Sequence, residues 1–190
     1  MDINEIRFQI DEARANKSVA HFKGLLLDVP GWDQFIAHLD HEFNTPPSVG
    51  ESDEWHTIYN GVVAKEGFYF HVRDVARGGE YTFFPQARKL SNIFNEVYGE
   101  YDNQGATFMN VVGNGMSVPL HEDDIDSVFW QCQGNTTWEI FLTREDEFPV
   151  QKIDVTPGDV VVVPVGVLHQ LNPNVARAAI AFRYNEKRGQ

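Results

Sequence analysis

The sequence predicts a mainly β fold with flanking helices, arranged as a β-sandwich or barrel. From residue 106 onward, short apolar stretches recur roughly every ten residues, separated by turn signals at Gly113-Asn114-Gly115, Gly134-Asn135 and Pro157-Gly158-Asp159. Ahead of them, three segments carry apolar residues at helical spacing. A chain of 190 residues with 42% hydrophobic and 13% aromatic content has ample material for a core and the length of about one domain.

Residues 2–16 read as an amphipathic helix through Ile3, Ile6, Ile10 and Ala13. A short strand over 21–29 ends at Asp28-Val29-Pro30-Gly31. A second helix over 32–43 places Trp32, Phe35, Ile36, Leu39 and Phe43 on one side, and His38 and His41 read as surface histidines off that stripe. Residues 45–54 (TPPSVGESDE) form a loop. Strands over 55–63 and 67–72 follow, turning at 64–67, with Tyr69 and His71 sharing one face of the second. A third helix over 86–98 turns Leu90, Ile93, Phe94, Val97 and Tyr98 inward. Strands are then expected over 106–112, 118–123, 127–133, 136–143, 151–155, 160–163, 168–171 and 177–184. With no repeat or low-complexity tract, residues 1–190 read as a single domain: a buttress over about 1–104 and a strand-rich core over about 105–184.

Lys and Arg number 15 against 28 Asp and Glu, a formal charge of −13. Such a surface repels phosphate backbones and anionic lipid, so no nucleic acid and no membrane partner is expected, and a basic partner would be tolerated or steered in. The same acidity also serves plain solubility. Cys132, the only cysteine, allows no intrachain disulfide and no zinc-thiolate cluster, and reads as a small buried hydrophobe. No leader-like start and no apolar run approaching a membrane span is present, and a cytoplasmic location is expected.

The chemistry concentrates in two stretches. The first, GMSVPLHEDDID over 115–126, carries His121-x-Asp123; the second, PGDVVVVPVGVLHQLN over 157–172, carries His169, 46 residues beyond Asp123. Residues i and i+2 of a strand point the same way, so His121 and Asp123 would reach inward together, and His169 would arrive from a distant strand. Two imidazoles and one carboxylate can cap one face of an octahedral ion and leave three positions open, the facial triad of non-haem Fe(II) oxygenases. The plain alternative is a solvated histidine beside an acidic loop of Glu122, Asp123, Asp124 and Asp126; Glu122, Asp124 and Asp126 read as solvent-facing or loop-capping rather than as ligands. Pro164 and Gly166 supply a bend that turns His169 back toward the first stretch.

Gly115, His121, Asp123 and Gly134, then Gly158, Pro164, Gly166, His169 and Asn172, resemble the two motifs of the cupin superfamily. Asp123 and the run VFWQCQGNTTWEIF over 128–141 resemble its JmjC-type and cupin-like 2-oxoglutarate oxygenases. The resemblance covers about residues 105–184. It implies a double-stranded β-helix, or jelly roll, with Fe(II) held at its mouth by His121, Asp123 and His169, and 2-oxoglutarate as cosubstrate. The reaction implied is hydroxylation of a peptide or protein side chain or of a small amino-acid-like molecule. A homodimer is also admitted.

The chain departs from that pattern at one position. The far carboxylate of 2-oxoglutarate needs a buried cation, and JmjC-type enzymes place a Lys or Arg where this chain has Thr136. On the last strand, Arg177, Ala179, Ala181 and Arg183 share one face, and Ile180, Phe182 and Tyr184 the other. Arg183 is the expected substitute, helped by hydroxyls of Thr136 or Ser127; the alternative is an exposed arginine paired with a surface acid. Tyr69 is a further cosubstrate candidate by resemblance. Phe129 and Trp138 would line the pocket or simply pack in the core, and Asn110 and Gln131 could touch substrate. Two rival functions stay open: a metal cupin independent of 2-oxoglutarate (a dioxygenase, isomerase or epimerase), favoured by Thr136, and a non-catalytic binding cupin.

Overall fold

The computed structural model describes residues 2–44, 62–64, 67–73, 81–99, 105–110, 118–173 and 175–184. The chain runs α1 (Ile3–Ala15), β1 (Ala20–Phe22), α2 (Trp32–Asn44), β2 (Val62–Ala64), β3 (Gly67–Arg73), α3 (Ala87–Tyr98), β4 (Gly105–Asn110), β5 (Val118–His121), β6 (Asp126–Gln133), β7 (Thr136–Phe141), β8 (Gln151–Val155), β9 (Val160–Val163), β10 (Leu168–Pro173) and β11 (Arg177–Tyr184). The strands form two antiparallel sheets, a larger one in the order β1-β9-β6-β11-β4-β3-β2 and a smaller one in the order β5-β10-β7-β8. The mainly β architecture expected from the sequence is present, its strands forming the two antiparallel sheets of a jelly roll.

Two cores flank the large sheet. On one face, Val128, Trp130, Val160, Val162, Ile180 and Phe182 meet Ile6 and Ile10 of α1, Phe35 of α2 and Leu90 and Phe94 of α3. On the other, Val161 and Val163 meet Trp138, Ile140, Val155 and Leu171 of the small sheet. This explains the unbroken valine run of β9: each residue is buried, alternate side chains serving opposite cores. β11 is likewise covered on both faces, Ala179 and Ala181 turned to one side and Ile180 and Phe182 to the other.

Several turns depend on specific residues. Gly134 has φ +66, and a Cβ there would lie 2.1 Å from the Ala176 carbonyl oxygen, so the β6–β7 turn presses directly on the start of β11. Asp159 is buried and accepts from Gly24 N at 2.7 Å and Thr156 N at 3.0 Å, tying the turn after β1 to the turn before β9.

Four expectations change. The strand expected over 21–29 is only Ala20–Phe22, because the chain turns at Gly24 (φ +59) to reach Asp159. In α2, Ile36 faces solvent, while His38 is 1% exposed and packs against Phe83 and Phe84 with ring centroids 5.4 and 5.2 Å away; three residues after Phe35, it occupies the buried stripe. Burial, aided by the nearby His41, lowers the His38 pKa to about 4. Third, Asp126 is buried rather than solvent-facing: Arg14 Nη2 at 2.5 Å and Tyr98 Oη at 2.9 Å donate to one carboxylate oxygen, and Val165 N at 2.9 Å to the other. Fourth, β5 stops at His121, so Asp123 sits on the turn beyond it. The expected loop over 45–54 and most of the strand over 55–63 lie outside the described residues. Among the described residues, no helix is long and apolar enough to cross a membrane.

Candidate metal centre

Strand pairing brings the two histidines together. β10 lies between β5 and β7, with His169 opposite His121 on one side and Ile140 on the other. The two imidazole centroids are 4.3 Å apart. Asp123 joins them from the turn after β5, whose place is fixed by the bend before β10: Gly166, at φ +75, donates its N–H to the Asp123 carbonyl at 3.0 Å. Val165 N, on Asp126, makes a second tie across the same gap. Each of His121, Asp123 and His169 thereby offers one ligand atom, and these atoms all lie within 4.8 Å of one another.

The hydrogen bonds around the trio decide which atoms are available. His121 Nδ1 lies 2.9 Å from the Pro119 carbonyl oxygen, and His169 Nδ1 lies 2.9 Å from that of Val167. A carbonyl can only accept, so each Nδ1 carries the proton and each Nε2 keeps its lone pair. His169 is fully buried, and its Nε2 has no hydrogen-bond partner. Burial is the largest influence on this imidazole and lowers its pKa; the Val167 carbonyl and the Asp123 carboxylate pull upward and His121 pushes further down, leaving the neutral ring favoured. Asp123 Oδ2 accepts from Ser127 Oγ at 2.7 Å, and Oδ1 faces His121 Nε2 at 3.7 Å. A buried lone pair with no donor near it, beside a second lone pair and a carboxylate oxygen, suits a divalent cation with mixed N and O ligands. The partners behind the three side chains are of the kind that orient metal-binding groups.

The walls are aromatic. Trp138 stacks on His169 at 5.5 Å and 19°, Phe129 meets Trp138 edge-on at 5.0 Å, and Phe108 packs on Phe129 at 5.5 Å.

No family model matches the sequence, and no curated protein matches it significantly. Solved structures do. YcfD, a ribosomal oxygenase from Escherichia coli, in complex with cobalt and 2-oxoglutarate, superposes with a TM-score of 0.59 at 17% identity, over 89% of this chain and 48% of that one. The same protein with cobalt and succinic acid gives 0.59 at 16% identity, over 88% and 48%. The chain shares the fold of these structures. It spans about half the length of the ribosomal oxygenase structures it matches.

Within the barrel, the remaining candidates part company. Ser127 faces Asp123 and donates to its Oδ2. Thr136 is 1% exposed, on the inner face with Trp138 and Ile140, and its Oγ1 has no partner. Arg183 stands opposite Ser127 in the register, but its guanidinium leaves the interior: it is 42% exposed and paired with Asp124. It lies at the rim with a surface acid for company, so it is not the buried cation expected. Arg177, at the other end of β11, is 1% exposed, and its Nε donates to Asn110 Oδ1 at 3.0 Å. Glu122 is paired with Arg144 at 3.5 Å outside the trio. Gln131 is buried, and its amide closes the β6–β7 turn through the carbonyls of Gln133 and Gly134 at 2.7 and 3.0 Å. The register places Tyr69 opposite Asn110, and its side chain lies outside the described residues. Sequence reasoning passed over Gln151, which stands opposite Ile140 on the inward alternation of β8 and has a buried Oε1 without a partner. The period-two pattern of β8 carried that signal.

Proposed function

We propose that this chain is a non-haem Fe(II)- and 2-oxoglutarate-dependent oxygenase that hydroxylates a peptide or protein side chain or a small amino-acid-like molecule. The observation that carries the reading is the buried, unpartnered Nε2 of His169, grouped with His121 and Asp123 inside a cupin barrel. Iron with 2-oxoglutarate bound would supply the coupled oxidation in which O2, the oxo acid and a C–H bond give succinate, CO2 and an alcohol, one oxygen atom going to each of the first and last products. His121, Asp123 and His169 would hold the ion from one side and leave the opposite side for cosubstrate and O2. Ser127 keeps Asp123 turned toward its neighbours. Phe108, Phe129 and Trp138 exclude water from the inner wall. A surface with a net charge of −13 favours a basic substrate over an acidic one.

One observation favours the rival metal cupin without 2-oxoglutarate: Thr136 at the position where related enzymes carry a base. Anaerobic titration of the Fe(II) protein with 2-oxoglutarate separates the two. A weak visible charge-transfer band from the chelated oxo acid, lost in His169→Ala, is the outcome expected. Tight Fe(II) binding with no band at millimolar oxo acid would hand the site to the rival.

A further inference from the structure

We propose that the open groove between α1 and the free edge of β1 takes an extended, basic segment of a partner polypeptide as an added strand. The inference is independent of the metal centre and of the oxygenase reading.

β1 ends the larger sheet. β9 pairs with it on one side through Ala20, His21 and Phe22, and among the described residues no strand follows on the other. Along an antiparallel edge every second residue turns its N–H and C=O away from the sheet, a template for another chain. α1 lies beside that edge. It packs into the core through Ile6, Ile10 and Ala13, which leaves Glu5, Phe8 and Glu12 along its flank at helical spacing. These side chains and residues 18–21 line one groove of about 500 Å³, the size of a ligand-binding cleft.

The lining sets the chemistry of the occupant. Phe8 is 63% exposed, with one carboxylate a turn before it and another a turn after, so an aromatic face and two negative charges share one stripe. Among the described residues, neither Glu5 nor Glu12 has an ion-pair partner, and no Lys or Arg lines the groove. His21, the other titratable group there, is turned onto the buried Asp159 at 3.2 Å. An arginine or lysine entering the groove lays its stem or cationic head over the Phe8 ring and brings its charge to either carboxylate. A second copy of this chain is a poor occupant, because at a net charge of −13 it would bring acid to acid. In strand addition the main chain gives affinity and the side chains give selectivity. β1 is only three residues long, so the backbone bonds are few and the charged contacts decide what binds.

Calorimetric titration at low salt with an octapeptide alternating arginine and threonine, and with its glutamate–threonine counterpart, tests the assignment. The basic peptide should bind and the acidic one should not. Glu5→Gln combined with Glu12→Gln should weaken binding roughly tenfold, and Phe8→Ala roughly fivefold. Asp11→Asn combined with Asp33→Asn removes the same charge from exposed positions outside the groove and should change affinity by less than about twofold. Hydrogen exchange at the amides of residues 20–22 should slow in the complex, which capture by surface charge alone would not produce. No binding of the basic peptide overturns the proposal. So does binding that survives the Glu5 and Glu12 changes, or that the Asp11 and Asp33 pair weakens as much. Binding without slowed exchange at 20–22 overturns strand addition, and a dimer of the free protein that protects the same amides gives the groove to a second copy instead.

Discussion

Ser127 Oγ donates to Asp123 Oδ2 at 2.7 Å, so the one carboxylate of the trio is held from behind by the first inward residue of β6. Unheld, a carboxylate on a turn would rotate freely about χ2 and present either oxygen. Ser127→Ala should lower divalent metal affinity by about tenfold, the low end for a lost orienting partner. Co(II) titration monitored by its visible spectrum measures this, and an unperturbed affinity would show that the turn itself holds Asp123.

The buried Nε2 of His169 predicts a thermal signature. An ion present at about 100 times its dissociation constant should raise Tm by roughly 5–10 °C in a domain of this size. The shift should vanish in His169→Ala, and calorimetry with and without Co(II) reads it directly.

His38 makes the fold sensitive to acid independently of the metal. Its folded-state pKa of about 4 lies below the ordinary value of 6.5, so the unfolded chain takes up the proton first. The stability tied to the neutral ring is complete above pH 6.5 and drains away as the pH falls toward 4, by about 3 kcal/mol in all. Denaturant unfolding from pH 7 to pH 4 should show this slope, flattened in His38→Leu.

Asp126 joins α1, α3 and the bend before β10 through Arg14, Tyr98 and Val165. Removing it strands a largely buried guanidinium and a tyrosine hydroxyl, and Asp126→Ala should cost about 3 kcal/mol, since Arg14 keeps some contact with water. Because Val165 N also loses its acceptor, metal affinity should fall along with stability. Asp11→Ala, removing the exposed partner of Arg14, should change neither.

Local pattern made much of this legible. The strands 151–155, 160–163 and 177–184 have the bounds their composition and turn residues indicate. His121, Asp123 and His169 converge because an antiparallel pairing brings the two motifs side by side. Alternation gives the face of a residue but not its depth, which is why Arg177 and Arg183 look equivalent in sequence and end up buried and exposed. Asp126 belongs by sequence to an acidic run, and its burial is set by Arg14, 112 residues away. His38 was hidden by its polarity: helical spacing from Phe35 marks it as inward, and only the aromatic pocket of Phe83 and Phe84 makes room for it.

The hydrogen bond from Gly166 N to the Asp123 carbonyl has a consequence for biosynthesis. The chain emerging from the ribosome carries His121 and Asp123 long before His169, and the two early donors form only an open bidentate site. Residue 166 must emerge and close on residue 123 before the third donor is aligned. An ion that needed all three donors would therefore find them aligned only after this bond has closed.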